Sequence, residues 1–350
     1  MNEILFFSSF LVLIAFVLLL DLGVFSKSNH TVSFKESILM TSVWVTLALA
    51  FFIFLKTNGN IIHGVETVEA IQSKIDLYQH PIQITGLTDE NAISLYNHNL
   101  SLEFITGYLI EYSLSVDNIF VIILIFIGFN VQSKLYKRVL FWGIIGAVIM
   151  RFLFIFLSSA LIQQFAWILY VFGGLLIFTG VKMFLNRNHD EKIDTKNHPI
   201  VKLLSKYFAV FPKYVKHYFF IRKNKKLFIT PLFIVLIVIE FTDLIFAVDS
   251  VPAIFSITKD PYIVFFSNIF AILGLRSLFF LVINVVDLFH YLKIGLAVLL
   301  TFIGSKMIFH HWLSEIGFTT SHSLYIILGI LSVSIIASIV FPKKKLEVAK

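Results

Sequence analysis

Glu111, Asp117 and Asn118 stand within one apolar stretch of the chain, and Glu240, Asp243, Asp249 and Ser250 within another. A charged side chain at the centre of a membrane-spanning helix costs about 2.5–3.5 kcal/mol, so the five carboxylates among these residues rival the whole stability of an ordinary domain. They must be neutralised, paired, or turned towards a polar cavity. On an α-helix, positions seven apart fall on nearly one face, which aligns Glu111 with Asn118 and Asp243 with Ser250. Asp117 and Asp249 lie about a third of a turn away. Each helix then offers carboxylates beside a neutral oxygen donor. An oxygen-only set suits hard divalent cations such as Mn2+, Mg2+ or Ca2+, whereas zinc and copper sites usually carry His, Cys or Met. The alternative is that the acids only fasten helices together by pairing with Arg151 and Arg276, although two arginines do not neutralise five carboxylates.

Several neighbours admit two roles. Arg151 and Arg276 read as fixed counter-charges or as partners displaced when a cation enters. Asn268 is a further oxygen ligand or a helix–helix hydrogen bond, and Asp21 joins the cluster or sits at the membrane interface. Pro252 removes the hydrogen bond to the Val248 carbonyl, which frees that oxygen for a ligand or merely kinks the end of a helix. Lys182 and Lys306 fall at span ends and are expected to snorkel to headgroups. His310 and His311 read as an interfacial polar pair, with a metal-capturing pair as the alternative.

The elements that must position these residues follow from composition. The 350 residues are 58% hydrophobic and only 14% charged, which excludes a soluble fold around one core. The expectation is an all-α polytopic membrane protein of about nine transmembrane helices, near 4–25, 38–55, 101–128, 139–162, 165–185, 228–256, 262–288, 292–311 and 322–341. The first run lacks a basic leader and a small-residue cleavage site, and reads as a retained span. There is no cysteine, so disulfides and thiolate chemistry are excluded. No phosphate loop, nucleophile elbow or metalloprotease pattern is present, so no enzyme is expected. The net charge of +7 reflects loops between spans and gives no reason to expect a nucleic-acid partner.

Between Arg187 and Lys226 lie eleven Lys or Arg against Asp190, Glu191 and Asp194, which places this loop in the cytoplasm. Alternation then puts Lys134, Lys137 and Arg138 and the tail with Lys343, Lys344 and Lys345 inside, and the N-terminus outside. The stretch from Tyr207 to Arg222 reads as part of that loop, with an interfacial helix as the other possibility.

The chain also repeats itself. Val116-Asp117-Asn118 matches Val248-Asp249-Ser250, Arg151 matches Arg276, and Leu175 to Met183 with its Gly180 and Lys182 matches Leu299 to Met307 with Gly304 and Lys306. Each unit holds three spans, and an odd number makes the second copy enter from the opposite side, an inverted 3+3 core with its site near the bilayer midplane. The expected organisation is two N-terminal helices (1–55), an extracytoplasmic polar segment (56–100), the first repeat (101–185), the basic cytoplasmic loop (186–227), the inverted second repeat (228–311), and a last helix with a basic cytoplasmic tail (312–350).

At these residues the chain resembles the TerC family of integral membrane proteins, the tellurium-resistance group with its Alx-like branch. The resemblance is carried by Leu102-Glu103-Phe104 through Glu111 and Asp117-Asn118 to Val121, by Ile239-Glu240 through Asp243, Asp249-Ser250 and Pro252 to Phe255, by Asp260-Pro261-Tyr262, and by Ser267-Asn268 to Arg276. Asp21-Leu22-Gly23-Val24-Phe25 is similar too, and the likeness spans roughly residues 10–310. Tyr112 stands where relatives often carry Lys, and the segment 60–97 is longer than usual. The resemblance implies metal-ion homeostasis, with Mn2+ export from a cell inner membrane as the activity, Mn2+ as transported ion rather than resident cofactor, and lipid as the surrounding partner. It also implies an alternative, because plant relatives are linked to membrane-protein insertion: a non-transporting scaffold. Ca2+ or proton-coupled cation transport is a third reading. Oligomeric state is left open.

Overall fold

The computed structural model describes residues 3–25, 33–165, 167–185, 199–223, 226–285, 291–315 and 317–341. Its elements run α1 (Glu3–Phe25), α2 (Phe34–Asn58), α3 (Asn60–His63), α4 (Val68–Tyr78), α5 (Asp89–Gly128), α6 (Ser133–Gln164), α7 (Ile168–Leu185), α8 (Pro199–Tyr207), β1 (Phe220–Lys223), β2 (Lys226–Ile229), α9 (Pro231–Phe255), α10 (Pro261–Leu273), α11 (Leu275–Val285), α12 (Leu292–Ile308), α13 (His310–Glu315) and α14 (Thr320–Val340). The fold is that of an all-α polytopic membrane protein. Among the described residues, six helices, α2, α5, α6, α7, α9 and α14, are long and apolar enough to cross a bilayer, and α10 with α11 makes a seventh if counted as one bent span. α1 over Glu3–Leu19 and α12 over Ile294–Ile308 are apolar but shorter.

Local chemistry sets the helix starts. Ser33 and Glu36 form a capping box at α2, Thr88 caps α5 ahead of Asp89 and Glu90, and Thr230-Pro231 and Asp260-Pro261 open α9 and α10 with a cap followed by a proline at the first helical position. α5 has 40 residues, about 60 Å of helix, so it projects well beyond a hydrocarbon core of about 30 Å. The polar segment 56–100 is thus built structure: α3, α4 and the first turns of α5.

Two departures from expectation stand out, and Pro252 follows the helix-end reading. The span expected over 262–288 is broken at Gly274, where α10 and α11 bend by 44°. Gly274 has no side chain and its carbonyl accepts from the Ser277 hydroxyl at 2.9 Å, the glycine–serine combination that kinks helices. Pro252 lies inside the last turns of α9, which ends three residues on at Phe255. Finally, the stretch from Tyr207 to Arg222 is neither a helix nor wholly loop: α8 ends at Tyr207, and Phe220 to Arg222 enter an antiparallel hairpin with β2. The Arg187 to Lys196 part of the basic loop and the tail lysines lie outside the described residues.

The core lies around α10, every residue of which except the half-buried Tyr262 is buried. Phenylalanines from α1, α2, α5, α6 and α10 interlock there, with Phe10 and Phe266 centred 4.5 Å apart and Phe51 and Phe104 at 5.0 Å. α7 and α12 cross by small residues. A Cβ on Gly173 would lie 2.9 Å from the Gly304 carbonyl oxygen, and one on Gly304 would run into Gly173 and Ile177. Likewise a Cβ on Gly180 would meet Thr301 and the Ala297 carbonyl. Close backbone approach of this kind is how helices associate when surrounding lipid is as apolar as their side chains.

Candidate functional site

The residues expected to do chemistry converge on one guanidinium. Arg151, in α6 and 1% exposed, donates from Nη1 to Glu111 Oε1 of α5 at 2.6 Å, to the Ser250 hydroxyl of α9 at 2.9 Å and to Asn268 Oδ1 of α10. Its Nη2 reaches Asp243 Oδ1 of α9 at 3.5 Å. Four helices are therefore tied by one side chain. Charge-assisted hydrogen bonds of this sort are the strong ones, yet the cluster is incompletely satisfied: Glu111 Oε2, Asp243 Oδ2 and Arg151 Nε are buried without a hydrogen-bond partner. Buried polar atoms left unpaired cost about 1–3 kcal/mol each.

Glu240 sits one helical turn before Asp243, hence on the same face of α9. Its carboxylate lies against Gly146 of α6 so closely that a Cβ there would overlap it. Glycine at 146 is what leaves room for an acid between these helices. Asn118 is buried on α5, two turns from Glu111, and Arg151 makes no hydrogen bond to it. Arg276 is buried at the start of α11, apart from the hydrogen bonds of Arg151. Asp21, Asp117 and Asp249 lie in the helical backbone of α1, α5 and α9, but their side chains are outside the described residues.

The donors that meet, Glu111, Asp243, Ser250 and Asn268, are all oxygen, as a hard cation requires. Among the described residues, however, no three His, Cys, Asp or Glu stand close enough to hold a metal ion; a guanidinium is what the oxygens face.

A second ionic assembly was not foreseen. At the end of the bundle where α1 begins, His63 is buried, its Nδ1 2.7 Å from Glu3 Oε1 and its Nε2 2.8 Å from Asp260 Oδ2. A ring with carboxylates at both nitrogens donates to both only as imidazolium. Burial by itself would depress this imidazole, but the Asp260 carboxylate, then Glu3, outweigh it and raise its pKa to about 9. Asp260 is correspondingly held low, the His63 charge overriding burial. Lys74 of α4 adds a contact to Glu3 Oε2 at 3.2 Å. Beside it, Glu103 of α5 is fully buried: Oε1 accepts from Asn99 and faces His80 Nδ1, both at 2.8 Å, and Oε2 accepts from the Thr258 hydroxyl at 2.6 Å. Burial opposes the charged His80, yet Glu103 carries its pKa upward. Glu103 and Asp260 stood inside the motifs that carry the family resemblance, and Asp260-Pro261 is a helix-start signature. Nothing in the sequence pointed to His63 or His80.

Lys306 does not snorkel. It turns inward to donate to the Ser256 carbonyl at 2.9 Å, while Lys182 is exposed as expected. His311 is exposed and faces Glu315 at 3.6 Å; the side chain of His310 is outside the described residues.

Fold and site together define a polytopic integral membrane protein with an arginine–carboxylate cluster buried between its helices. The chain belongs to the TerC family: the model described as "Integral membrane protein TerC family" matches residues 96–346. It is 38% identical over 333 residues to an uncharacterized membrane protein of Myxococcus xanthus, covering 95% of this chain and 91% of that one. It is 40% identical over 313 residues to Alx of Escherichia coli K12, provisionally named a membrane-bound redox modulator, covering 88% and 87%. A membrane protein of Rickettsia felis is 39% identical over 331 residues, covering 95% and 96%. No solved structure matches the chain significantly.

Proposed function

We propose that the protein exports a hard divalent cation, Mn2+ before others, from the cytoplasm through the interior between its two three-helix units. The observation that carries this reading is the meeting of Glu111 from α5 with Asp243, Ser250 and Asn268 from α9 and α10, oxygen donors with two buried carboxylate oxygens unpartnered. Arg151 is the counter-cation that keeps these acids neutralised, and the transported ion exchanges with it, aided by Glu240, Asp117, Asn118 and Asp249. Rocking of one unit against the other then releases the ion outside.

Support for an inverted 3+3 core comes from the α7–α12 crossing. The sequence repeat pairs Gly180 with Gly304, Gly173 with Ala297 and Ile177 with Thr301. Gly180 meets Ala297 and Thr301, and Gly304 meets Gly173 and Ile177, the reciprocity a two-fold axis between the helices requires. The basic loop supports the orientation in this reading, an inner-membrane protein with the intervening face in the cytoplasm and Glu3 and His63 outside.

Intracellular manganese in cells producing the wild type, Glu111→Gln or Asp249→Asn tests the proposal. The variants are expected to accumulate Mn2+ where the wild type clears it; equal accumulation in all three would refute export through this site. A scaffold role is favoured by the occupation of the acids by Arg151, and it predicts a purified protein whose thermal stability ignores millimolar Mn2+. Redox modulation, the role in the name of Alx, cannot proceed here through thiols, since these 350 residues include no cysteine.

A further inference from the structure

A cavity of about 460 Å3 opens at the end of the bundle that carries His63 and His80, between the ends of α4, α9 and α12 and the start of α14. None of the Arg151 cluster lines it. Its wall is positive from three directions. Lys306 and Lys259 both line it, and each ammonium is held by a neutral oxygen alone: Lys306 by the Ser256 carbonyl, Lys259 by the Gln79 side-chain carbonyl. Neither has a carboxylate within salt-bridge distance among the described residues. Thr320, the first residue of the 21-residue α14, also lines it, so the positive end of a long helix faces the same space.

His80 completes the wall. It is 5% exposed, its Nδ1 is engaged by Glu103, and its Nε2 is buried with no hydrogen-bond partner. Against this stands one lining carboxylate, Asp76, whose Oδ1 already accepts from Gln72 at 2.8 Å. Glu103 lies behind His80, and its oxygens are taken up by His80, Asn99 and Thr258. Two ammonium groups and a helix N-terminus, in a wall that also includes His80, make a surplus of donors and positive charge.

We propose that this cavity binds an oxyanion, a phosphate group in the first instance, with Lys259 and Lys306 matching its charge and donating to it. Helix N-termini and lysines are the ordinary means of holding phosphate. The phosphate belongs to a soluble anion or to a lipid headgroup reaching the rim, and two probes separate these sources.

The test uses the full chain in neutral detergent. Inorganic phosphate is titrated calorimetrically; in parallel, thermal unfolding is followed in mixed micelles containing phosphatidylglycerol or phosphatidylcholine. Saturable phosphate binding is expected if the anion is soluble, and stabilisation by phosphatidylglycerol over phosphatidylcholine if it is a headgroup. Either effect must weaken at least tenfold in Lys259→Gln, a loop substitution that spares every helix, and persist in Lys182→Gln, an exposed lysine elsewhere. Absence of both effects in the wild type, or an undiminished effect in Lys259→Gln, overturns the site.

Discussion

At the scale of single residues, the molecule is governed by charges that cannot reach water. Arg151 neutralises Glu111 in a fully buried pair and reaches the half-buried Asp243, and removing one member of a buried pair leaves an uncompensated charge at a cost of about 3–5 kcal/mol. Arg151→Gln is therefore expected to destabilise the protein by about that much, and the double variant Arg151→Gln with Glu111→Gln to recover a large part of it. Unfolding of both in mixed micelles checks this; a double variant no more stable than the single one would mean that the pair holds no buried charge in balance. His63 sets a different condition. Its pKa is raised from the ordinary 6.5 to about 9, so its contribution is complete below pH 6.5 and is lost as the pH rises through about 9. The loss is on the order of 3 kcal/mol. Melting temperature measured between pH 6 and 10 should fall across that window in the wild type and stay flatter in His63→Gln.

At the scale of elements, the sequence foretold helices far better than their crossings. Apolar runs of about 20 residues leave the backbone no partner but itself, so α2, α7, α9 and α14 could be placed within a few residues, whereas α5 and α6 begin well before the apolar runs expected over 101–128 and 139–162. The kink at Gly274 was not legible, because a glycine inside an apolar run tolerates both a straight helix and a bent one. The crossing of α7 and α12 was legible only as a repeated motif, and its glycines acquire meaning from the carbonyls that they approach. Gly304→Leu is expected to force these helices apart and to destabilise by at least about 1–3 kcal/mol, whereas leucine at Gly329, where a Cβ meets nothing within 4 Å, should be tolerated. Unfolding in micelles compares the two.

At the scale of the whole molecule, orientation ties the assemblies to function, because it decides which end of the bundle faces the cell. The chain has no cysteine, so single cysteines report topology without background. Glu66→Cys and Lys213→Cys, both at exposed positions, lie on the two ends of the bundle. In intact cells a membrane-impermeant thiol reagent is expected to label Glu66→Cys and spare Lys213→Cys; the opposite pattern would put the His63 and His80 assemblies inside and overturn the proposed orientation.

What the sequence determined by itself was local: that the chain is helical and membrane-spanning, which acids are too costly to be incidental, and which family it resembles. Each of these depends on the composition of a single segment or on a motif within it. The tertiary structure alone decided the partners. It set one arginine among Glu111, Asp243, Ser250 and Asn268, joined His63 to an acid 197 residues away, and turned Lys306 inward. A buried charge is stabilised by whatever lies within a few ångströms of it, and in a bundle that neighbour is chosen by how helices cross, a property that no single helix carries in its own residues.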